Sequence, residues 1–520
     1  GSNPITNYTY DVFGNVIEER DANKHATNYT YSTIDTTGTF PDKVTNAKLH
    51  ITNYFYDLGT GNVLSEIDPN EIPTNYTYDV FGRVSSEIMP LDSFEFPTRN
   101  YTYNLDGTAP EGVKITQREE SGAADTLNTS YFYDGFGRLI QIKKEATGTQ
   151  EIVTDVYYDK LRRVSNATNP YFATLTESYA TPNQNARRTS YLYDIVDRVI
   201  KVINPDLTEK ELTYDHWRVT QFDENGNRKD FIYDSHKKIT SVVEYNSADV
   251  YSTNYTYDSA GNLIEVKDSQ NNTFTFVYDT LLRKTKLVDS DVGTWEYGYD
   301  KVGNLIKQAD NRSNETLISY DELNRPKIKN SSTSDFNYIY DVELNGTLTA
   351  INSSDVIAHF AYDAKLRKVF ENKTVWNNIT LFNWTYDSAD RVASIRMPNG
   401  RVISYSYDAQ GNVLSVTDAL NGATYNEKDL TTKRTYWHLL ETDYLYDGNS
   451  FRVSEITTSG KQNLEYGYDS VGNVVWINDT INTRNYSMAY DSLNRLIAAK
   501  RLSTPVSSND FRINYTYNSI

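Results

Sequence analysis

Cysteine is absent from these 520 residues, which excludes a disulfide framework and thiol chemistry. That absence fits an intracellular protein, and equally a prokaryotic surface protein that never relied on disulfides. Methionine is nearly absent too, with 3 copies against 44 tyrosines. Such a chain buries aromatic, β-preferring surface rather than an aliphatic helical core. No apolar run approaches the roughly 18 residues of a membrane-crossing helix, and mean hydropathy is -0.64. No cleavable signal segment is visible, so the sequence reads as a mature form or an excerpt. Positive charge is also short: 51 Lys and Arg face 70 Asp and Glu, a net charge of -19. That balance argues against nucleic acid, which rewards basic patches.

The usual signs of chemistry are missing as well. The six histidines (25, 50, 216, 236, 359 and 438) are scattered, without an HExxH or paired metal spacing. No Gly-rich phosphate loop and no GxSxG occurs. Asp223-Glu224-Asn225-Gly226-Asn227 has the oxygen-rich start of a calcium loop, but the residue that should close it, Asp234, already belongs to a repeat. An ordinary Asn-Gly turn is the favoured reading there. The chain is therefore predicted to carry no catalytic residue, no metal and no cofactor.

What the sequence has in abundance is a period. Tyr-Asp occurs nineteen times, from Tyr10-Asp11 to Tyr490-Asp491, most often with a spacing of 21 residues. A fixed period of this size marks an array of small supersecondary units that pack on their neighbours. The fullest copies read ITNYTYDVFGNVIEERD at 5–21, TNYTYDVFGRVSSEI at 74–88, TNYTYDSAGNLIEVKD at 253–268 and ISYSYDAQGNVLSVTD at 403–418. Before each Asp lies an alternating strand: Tyr8 and Tyr10 share one face, while Asn7 and Thr9 point to the other. After it comes a second alternating run, Val16-Ile17-Glu18-Glu19-Arg20. Each unit is a predicted hairpin.

The turn chemistry agrees. Asp11, Asp79, Asp258 and Asp408 can accept backbone N–H groups of a type I turn. In the same four copies Gly14, Gly82, Gly261 and Gly411 stand four residues after the tyrosine. Glycine recurs there at 107, 137, 303 and 472, with Asn or Asp at 197, 324, 390 and 494. These residue types tolerate the left-handed backbone of a bulged hairpin loop. Arg162, Lys237 and Leu282 break the pattern, so those turns are expected to change geometry or carry strain. Degenerate copies, Tyr31-Ser32, Tyr103-Asn104, Tyr425-Asn426 and Tyr517-Asn518, fill gaps in the register, with Tyr179-Ala180 a weaker one. The expectation is one continuous array over 1–520 of about 23 repeats, degenerate or expanded around 104–130, 160–190 and 420–443, with both ends cut within a repeat. A ribbon of that many hairpins is on the order of 220 Å long, and twist must coil it with the aromatic face inward.

The pattern YxYDxxGNLxxxxD resembles the YD-repeat, or RHS-repeat, proteins over essentially the whole chain. The resemblance implies one hairpin per repeat, coiled as a spiral sheet into a tube or shell. In relatives that sheet encloses a toxin fragment (RHS and insecticidal toxins) or forms the barrel of an adhesion receptor (teneurins). The self-cleaving Asp-Pro-x-Gly segment of the toxin shells has no counterpart within these 520 residues, since Asp68-Pro69 continues as Asn70-Glu71, and no effector domain is expected among them.

Nineteen Asn-x-Ser/Thr sequons occur: Asn7, Asn28, Asn75, Asn100, Asn128, Asn166, Asn254, Asn271, Asn311, Asn314, Asn330, Asn345, Asn352, Asn372, Asn378, Asn383, Asn478, Asn485 and Asn514. Seven of them (7, 28, 75, 100, 254, 383 and 514) lie three residues before a repeat tyrosine, on the strand face opposite the aromatics, where an N-glycan can stand in solvent. One reading is that Asn-Tyr-Thr is simply a good strand sequence copied with the repeat. The favoured one is a glycan sheath that keeps a tyrosine-rich ribbon from edge-to-edge aggregation. Trp376 and Trp437 are expected to pack against the sheet. The terminal strand within 511–517 is expected to pair with the next subunit, head to tail. Together these point to an extracellular or cell-surface, non-enzymatic glycoprotein fibre or tube, without a membrane span. The alternatives are the shell portion of an RHS-type toxin and a glycan-binding adhesin.

Overall fold

The computed structural model describes residues 4–34, 37–122, 124–503 and 511–517; Asn3 of the opening repeat and Asn518 of the last degenerate copy lie outside them. The described residues form no helix and 46 strands, paired antiparallel with their neighbours in sequence except around Tyr171–Thr174. The expected hairpin is there. Strand Asn7–Tyr10 pairs with strand Val16–Arg20, Asn7 opposite Arg20 and Tyr8 opposite Glu19, with a bulge between Thr9 and Tyr10. The next strand, Ala26–Tyr31, closes on Val16–Arg20 through a return turn. Two kinds of turn therefore alternate: Tyr-Asp turns on one edge of the ribbon and return turns on the other.

The alternation is legible in exposure. In strand Val402–Tyr407, Ile403, Tyr405 and Tyr407 are half-buried while Val402, Ser404 and Ser406 face solvent. Neighbouring aromatics touch along the face, as in Tyr54 and Tyr56 at 6.3 Å between ring centroids and Phe40 and Tyr56 at 4.9 Å. Burial disfavours the phenolate, and it pushes Tyr362 and Tyr466 above their ordinary pKa.

The molecule divides into two compact units. One comprises Gly1–Tyr103, Lys114–Asn128 and Phe276–Ser404; the other comprises Asn104–Val113, Thr129–Thr275 and Tyr405–Ile520. In the second, the expanded region around 160–190 is more than a loop. Strand Tyr171–Thr174 pairs with Gln150–Val153 beside strand Val164–Thr168, and the following chain folds over the polar face of the sheet. Beneath it lies a buried polar cluster. Gln141 donates to Asp155 at 2.7 Å and to the Ala180 carbonyl at 3.0 Å, Lys143 pairs with Glu151 at 2.5 Å, and Tyr171 donates to Asp155 at 2.7 Å. Each of these buried charges is met by an ion partner or by hydrogen bonds, as burial demands. Tyr179 is thus no repeat tyrosine: it has left the ribbon and packs edge-on against Phe132, 5.9 Å between centroids.

The terminal strand Phe511–Asn514 pairs with Leu496–Ser503 of its own chain, Ala499 opposite Ile513.

Candidate functional site

The unit of construction is the Tyr-Asp turn. Asp79 accepts the backbone N–H groups of Phe81 at 2.9 Å and Arg83 at 3.0 Å through one carboxylate oxygen. Its carbonyl accepts from Gly82 N–H at 3.0 Å, and its own N–H donates to the Arg83 carbonyl at 2.9 Å. Gly82 takes φ +77°. Every predicted glycine of the set has positive φ, as do Asp197, Asn324, Asp390 and Asn494. Arg162, Lys237 and Leu282 keep the same turn at φ 67°, 62° and 63°. They carry strain rather than another geometry, about 1 kcal/mol for each side chain forced left-handed.

Gly261 stands at the same place as Gly82, its N–H closing the turn on the Asp258 carbonyl at 3.0 Å and its φ at +91°. It is half-buried, and the end of the Lys238 side chain fills the space that a Cβ would take. The glycine therefore serves close approach as well as backbone conformation, and periodicity alone does not reveal a neighbour from another repeat.

Two parts of the turn were not legible from its glycine. The first is the residue after it. Asn15, Asn262, Asn304, Asn412 and Asn473 donate their side-chain amide to the second oxygen of the repeat aspartate at 2.8–3.0 Å. Where that residue is Arg, the guanidinium does the same and continues outward. Arg83 donates Nε to Asp79 at 2.7 Å and covers the Tyr103 ring of the next repeat at 4.3 Å; Arg138 does so with Asp134 and Tyr158, and Arg325 with Asp321 and Tyr340. Planarity lets one guanidinium serve a carboxylate and a ring face together. The signal was available: the residue following the glycine position is Asn or Arg in most copies.

The second is the tyrosine hydroxyl. Tyr56, Tyr78, Tyr193, Tyr320 and Tyr468 donate to the backbone carbonyls of Pro41, Val63, Val164, Leu305 and Val453 at 2.7–3.1 Å. Each acceptor opens the second strand of the preceding repeat. Tyr31, Tyr103, Tyr425 and Tyr517 of the degenerate copies make the same bond, so they belong to the array although their aspartate is lost.

Carboxylate pKa values follow from the turn. The Asn262 side-chain amide, then its backbone N–H, holds Asp258 below its ordinary value. At Asp321 burial works the other way, but the Arg325 fork and the turn N–H groups outweigh it. Asp223, the start of the candidate calcium loop, closes an ordinary turn through hydrogen bonds of the same kind. It accepts from Asn225 and Asn227 N–H at 3.0 and 2.8 Å, with Gly226 at φ +80°.

Return turns use the same device. Asp21, Asn46, Asp68, Asp268 and Asp310 each accept the N–H four residues on at 2.8–3.0 Å. Within each unit these turns do a second job, bonding Tyr-Asp turns far along the chain. In the first unit, Asn23 donates to Asp300 at 2.9 Å, Lys48 lies 3.6 Å from Asp321, and Asn70 exchanges bonds with Asn345 at 2.6 and 3.2 Å. Arg391 pairs with Glu119 at 2.7 Å. In the second unit, Asn225 donates to Asp469 at 3.0 Å and accepts from Ser470 N–H at 3.1 Å, Asn246 accepts from Ser492 N–H at 3.0 Å, and Asn169 donates to the Asn449 carbonyl at 3.2 Å. In every pair the return turn comes from the earlier part of the chain and the Tyr-Asp turn from the later part.

The sequons divide by environment. Asn254, Asn271, Asn311, Asn314, Asn330, Asn378, Asn383 and Asn485 are exposed, as are Asn7 and Asn514. Asn28, Asn75, Asn100, Asn128, Asn166, Asn345, Asn352, Asn372 and Asn478 are half-buried. Asn345 donates its amide to the Pro69 carbonyl at 2.9 Å, so that nitrogen already serves the fold.

Trp376 and Trp437 contradict the expectation that they pack against the sheet: they are 75% and 51% exposed. Both occupy return turns, where no strand lies beneath the side chain. Trp376 and Asn377, at φ 44° and 68°, form the two-residue link between strands Lys368–Val375 and Asn378–Tyr386. Beside Trp437 opens a cleft of about 930 Å³, walled by Tyr436, Leu440, Leu464, Ile477 and Tyr486 with Lys461 and Asn482 at its polar side.

Comparison with known proteins completes the picture. Residues 70–282 match the Teneurin YD-shell model, and residues 386–423 match RHS Repeat. The tRNA3(Ser)-specific nuclease WapA of Bacillus spizizenii is 25% identical over 240 residues, 45% of this chain and 8% of that protein. The crystal structure of TcdB2-TccC3 superposes at a TM-score of 0.86 with 16% identity, covering 99% of this chain and 33% of the solved one. The Photorhabdus luminescens Tc holotoxin pore gives 0.85 and 14% identity, covering 99% and 34%. The chain spans about a third of the length of these solved chains.

Proposed function

We propose that this chain, which resembles the YD-repeat (RHS-repeat) proteins through its matches to the Teneurin YD-shell and RHS Repeat models, is a non-enzymatic wall: a hairpin ribbon that coils to enclose a volume. The observation that carries this reading is the bonding of return turns onto later Tyr-Asp turns within each unit, as between Asn23 and Asp300 or Asn225 and Asp469. A ribbon that seals edge to edge makes a wall, and the fold it shares with the toxin structures supports that use. Most of the repeat aspartates are committed to turns, their carboxylates engaged by backbone N–H groups and commonly by an Asn or Arg side chain as at Asp79 and Asp258, which favours structure over catalysis. Two further elements complete the proposal: an extracellular site of action and N-glycans on the exposed sequons. Asn254, Asn383 and Asn485 stand on the face opposite the tyrosines with open solvent before them.

Imaging the purified protein by electron cryomicroscopy tests the central statement. Particles with a lumen are expected, and a solid cross-section would overturn it. Intact-mass measurement before and after amidase deglycosylation tests the sheath separately; a mass equal to that of the bare polypeptide removes the glycans and leaves the wall.

A further inference from the structure

One seam contact inside the first unit is buried at both charged ends. Elsewhere on that seam the earlier return turns reach later Tyr-Asp turns through amides, as at Asn23 and Asn70, or through the partly exposed Lys48. The long return turn between strands Val84–Ile88 and Arg99–Asn104 instead sends Asp92 to Lys365, whose side chains are 0% and 2% exposed. Lys365 stands second after the repeat aspartate Asp363, where Val302 and Leu323 of the same unit carry an apolar side chain. A second late turn closes over the pair. Ser388, itself buried, donates its backbone N–H to the Glu119 carbonyl at 3.1 Å.

The two partners are satisfied unequally. Asp92 Oδ2 accepts from the Thr98 hydroxyl at 2.6 Å, while Oδ1 accepts from Ser121 at 2.8 Å and from Ser388 at 3.4 Å; the two serine hydroxyls lie 2.5 Å apart. The Lys365 ammonium has two long contacts, 3.6 Å to Asp92 Oδ2 and 3.5 Å to the Ser388 carbonyl. A charge-assisted bond spans about 2.7–2.9 Å. Lys143, the other deeply buried lysine, reaches Glu151 at 2.5 Å and Thr176 at 2.8 Å. An ion pair this loose gains little to offset the burial of its charges. A neutral link between the same two side chains would remove both charges from the interior.

We propose that Lys365 and Asp92 condense to an isopeptide bond, a covalent cross-link across the seam. The ammonium passes one proton to the carboxylate, leaving a neutral amine beside a neutral acid, as burial without good ion partners favours. Lys365 Nζ attacks Asp92 Cγ and forms the C–N bond. The bond from Cγ to Oδ2 breaks, and that oxygen leaves as water with the acid proton and one proton of the amine. Nothing is oxidised or reduced, and no co-reactant is consumed. The Ser121 and Ser388 hydroxyls face Oδ1, where negative charge develops during attack, and Thr98 holds the departing oxygen. The product closes residues 92–365 into a covalent loop in a chain without cysteine. This goes beyond the wall reading and does not depend on it, since the link requires only that the two turns meet.

Intact-mass measurement of the full chain, produced in a bacterial host that adds no N-glycans, tests the bond. A mass one water below that of the sequence is expected, with a branched tryptic peptide joining the stretch around Asp92 to the stretch around Lys365. Lys365→Arg keeps the cation and the ion pair but cannot close the amide. It should show its full sequence mass and run more slowly than wild type in a denaturing gel, where the closed loop keeps the wild-type chain compact. A wild-type chain at its full sequence mass overturns the inference. So does a one-water deficit that persists in Lys365→Arg or maps to other peptides. Hollow particles built from chains of full mass would leave the wall reading standing without the bond, and solid particles that yield the branched peptide would do the reverse.

Discussion

The Tyr78 hydroxyl donates to the Val63 carbonyl of the preceding repeat at 2.7 Å. The same bond recurs from Tyr31 to Tyr517, so tyrosine at this position is a tie between hairpins as well as an apolar face.

Removing that hydroxyl leaves the ring in place and strips one half-buried carbonyl of its partner. Tyr78→Phe is expected to destabilise by about 1 kcal/mol. Hydrogen exchange should accelerate in strand Val63–Ile67 as well as in Pro73–Tyr78. Unchanged protection in the first of these strands would refute the tie.

The strained turns give the opposite sign. Leu282 sits at φ 63° where eight copies carry glycine, so Leu282→Gly should stabilise by up to about 1 kcal/mol despite the added flexibility of the unfolded chain. Gly411→Val, at φ +90°, should destabilise by at least as much. Urea midpoints of the two variants decide the matter.

Acid should loosen the turns. Asp258 is held below its ordinary 3.8 in the fold, so its contribution is present above the unfolded value and lost as pH falls through the folded one. Stability should be level from neutral pH down to about 5 and fall progressively below about 4. Asn426 forms the same turn without a charge, accepting Lys428 and Leu430 N–H at 3.0 Å each. Asp258→Asn should therefore fold and show a shallower acid slope in denaturation followed between about pH 5 and about pH 2.

Docking between distant turns can be read at a distance. Asn225→Ala deletes both the bond to Asp469 and the acceptor for Ser470 N–H. Faster exchange at Ser470, some 245 residues away, is expected without change at Asp268 or Asn272, whose turn stands apart from this contact. Exchange confined to the neighbourhood of Asn225 would show the contact to be idle.

The hairpin, its bulge and its faces were legible in the sequence because they depend on residues a few positions apart. Tyr405 and Tyr407 declare a face by period, and Gly14 declares a left-handed backbone by what it lacks. The strained turns at Arg162 and Lys237 were legible only as a choice, since local chemistry does not say whether neighbours can force an unfavourable φ. They can, because strand pairing on either side fixes where the turn must close. Tyr179 and Trp437 were misplaced for a different reason. Their surroundings are set by the excursion after Tyr171 and by the tip of a return turn, and neither has a periodic signature. The bonds from Asn23 to Asp300 and from Asn225 to Asp469 lay furthest out of reach, because no local pattern specifies how many repeats pass before the ribbon meets itself.

The tyrosine tie always points one way. Its donor follows its acceptor in the chain, as Tyr78 follows Val63 and Tyr490 follows Val474. During synthesis each hairpin therefore leaves the ribosome to find its anchor already built. The ribbon can assemble in the order it is translated, while the seams that join its distant turns close only after the later repeats have arrived.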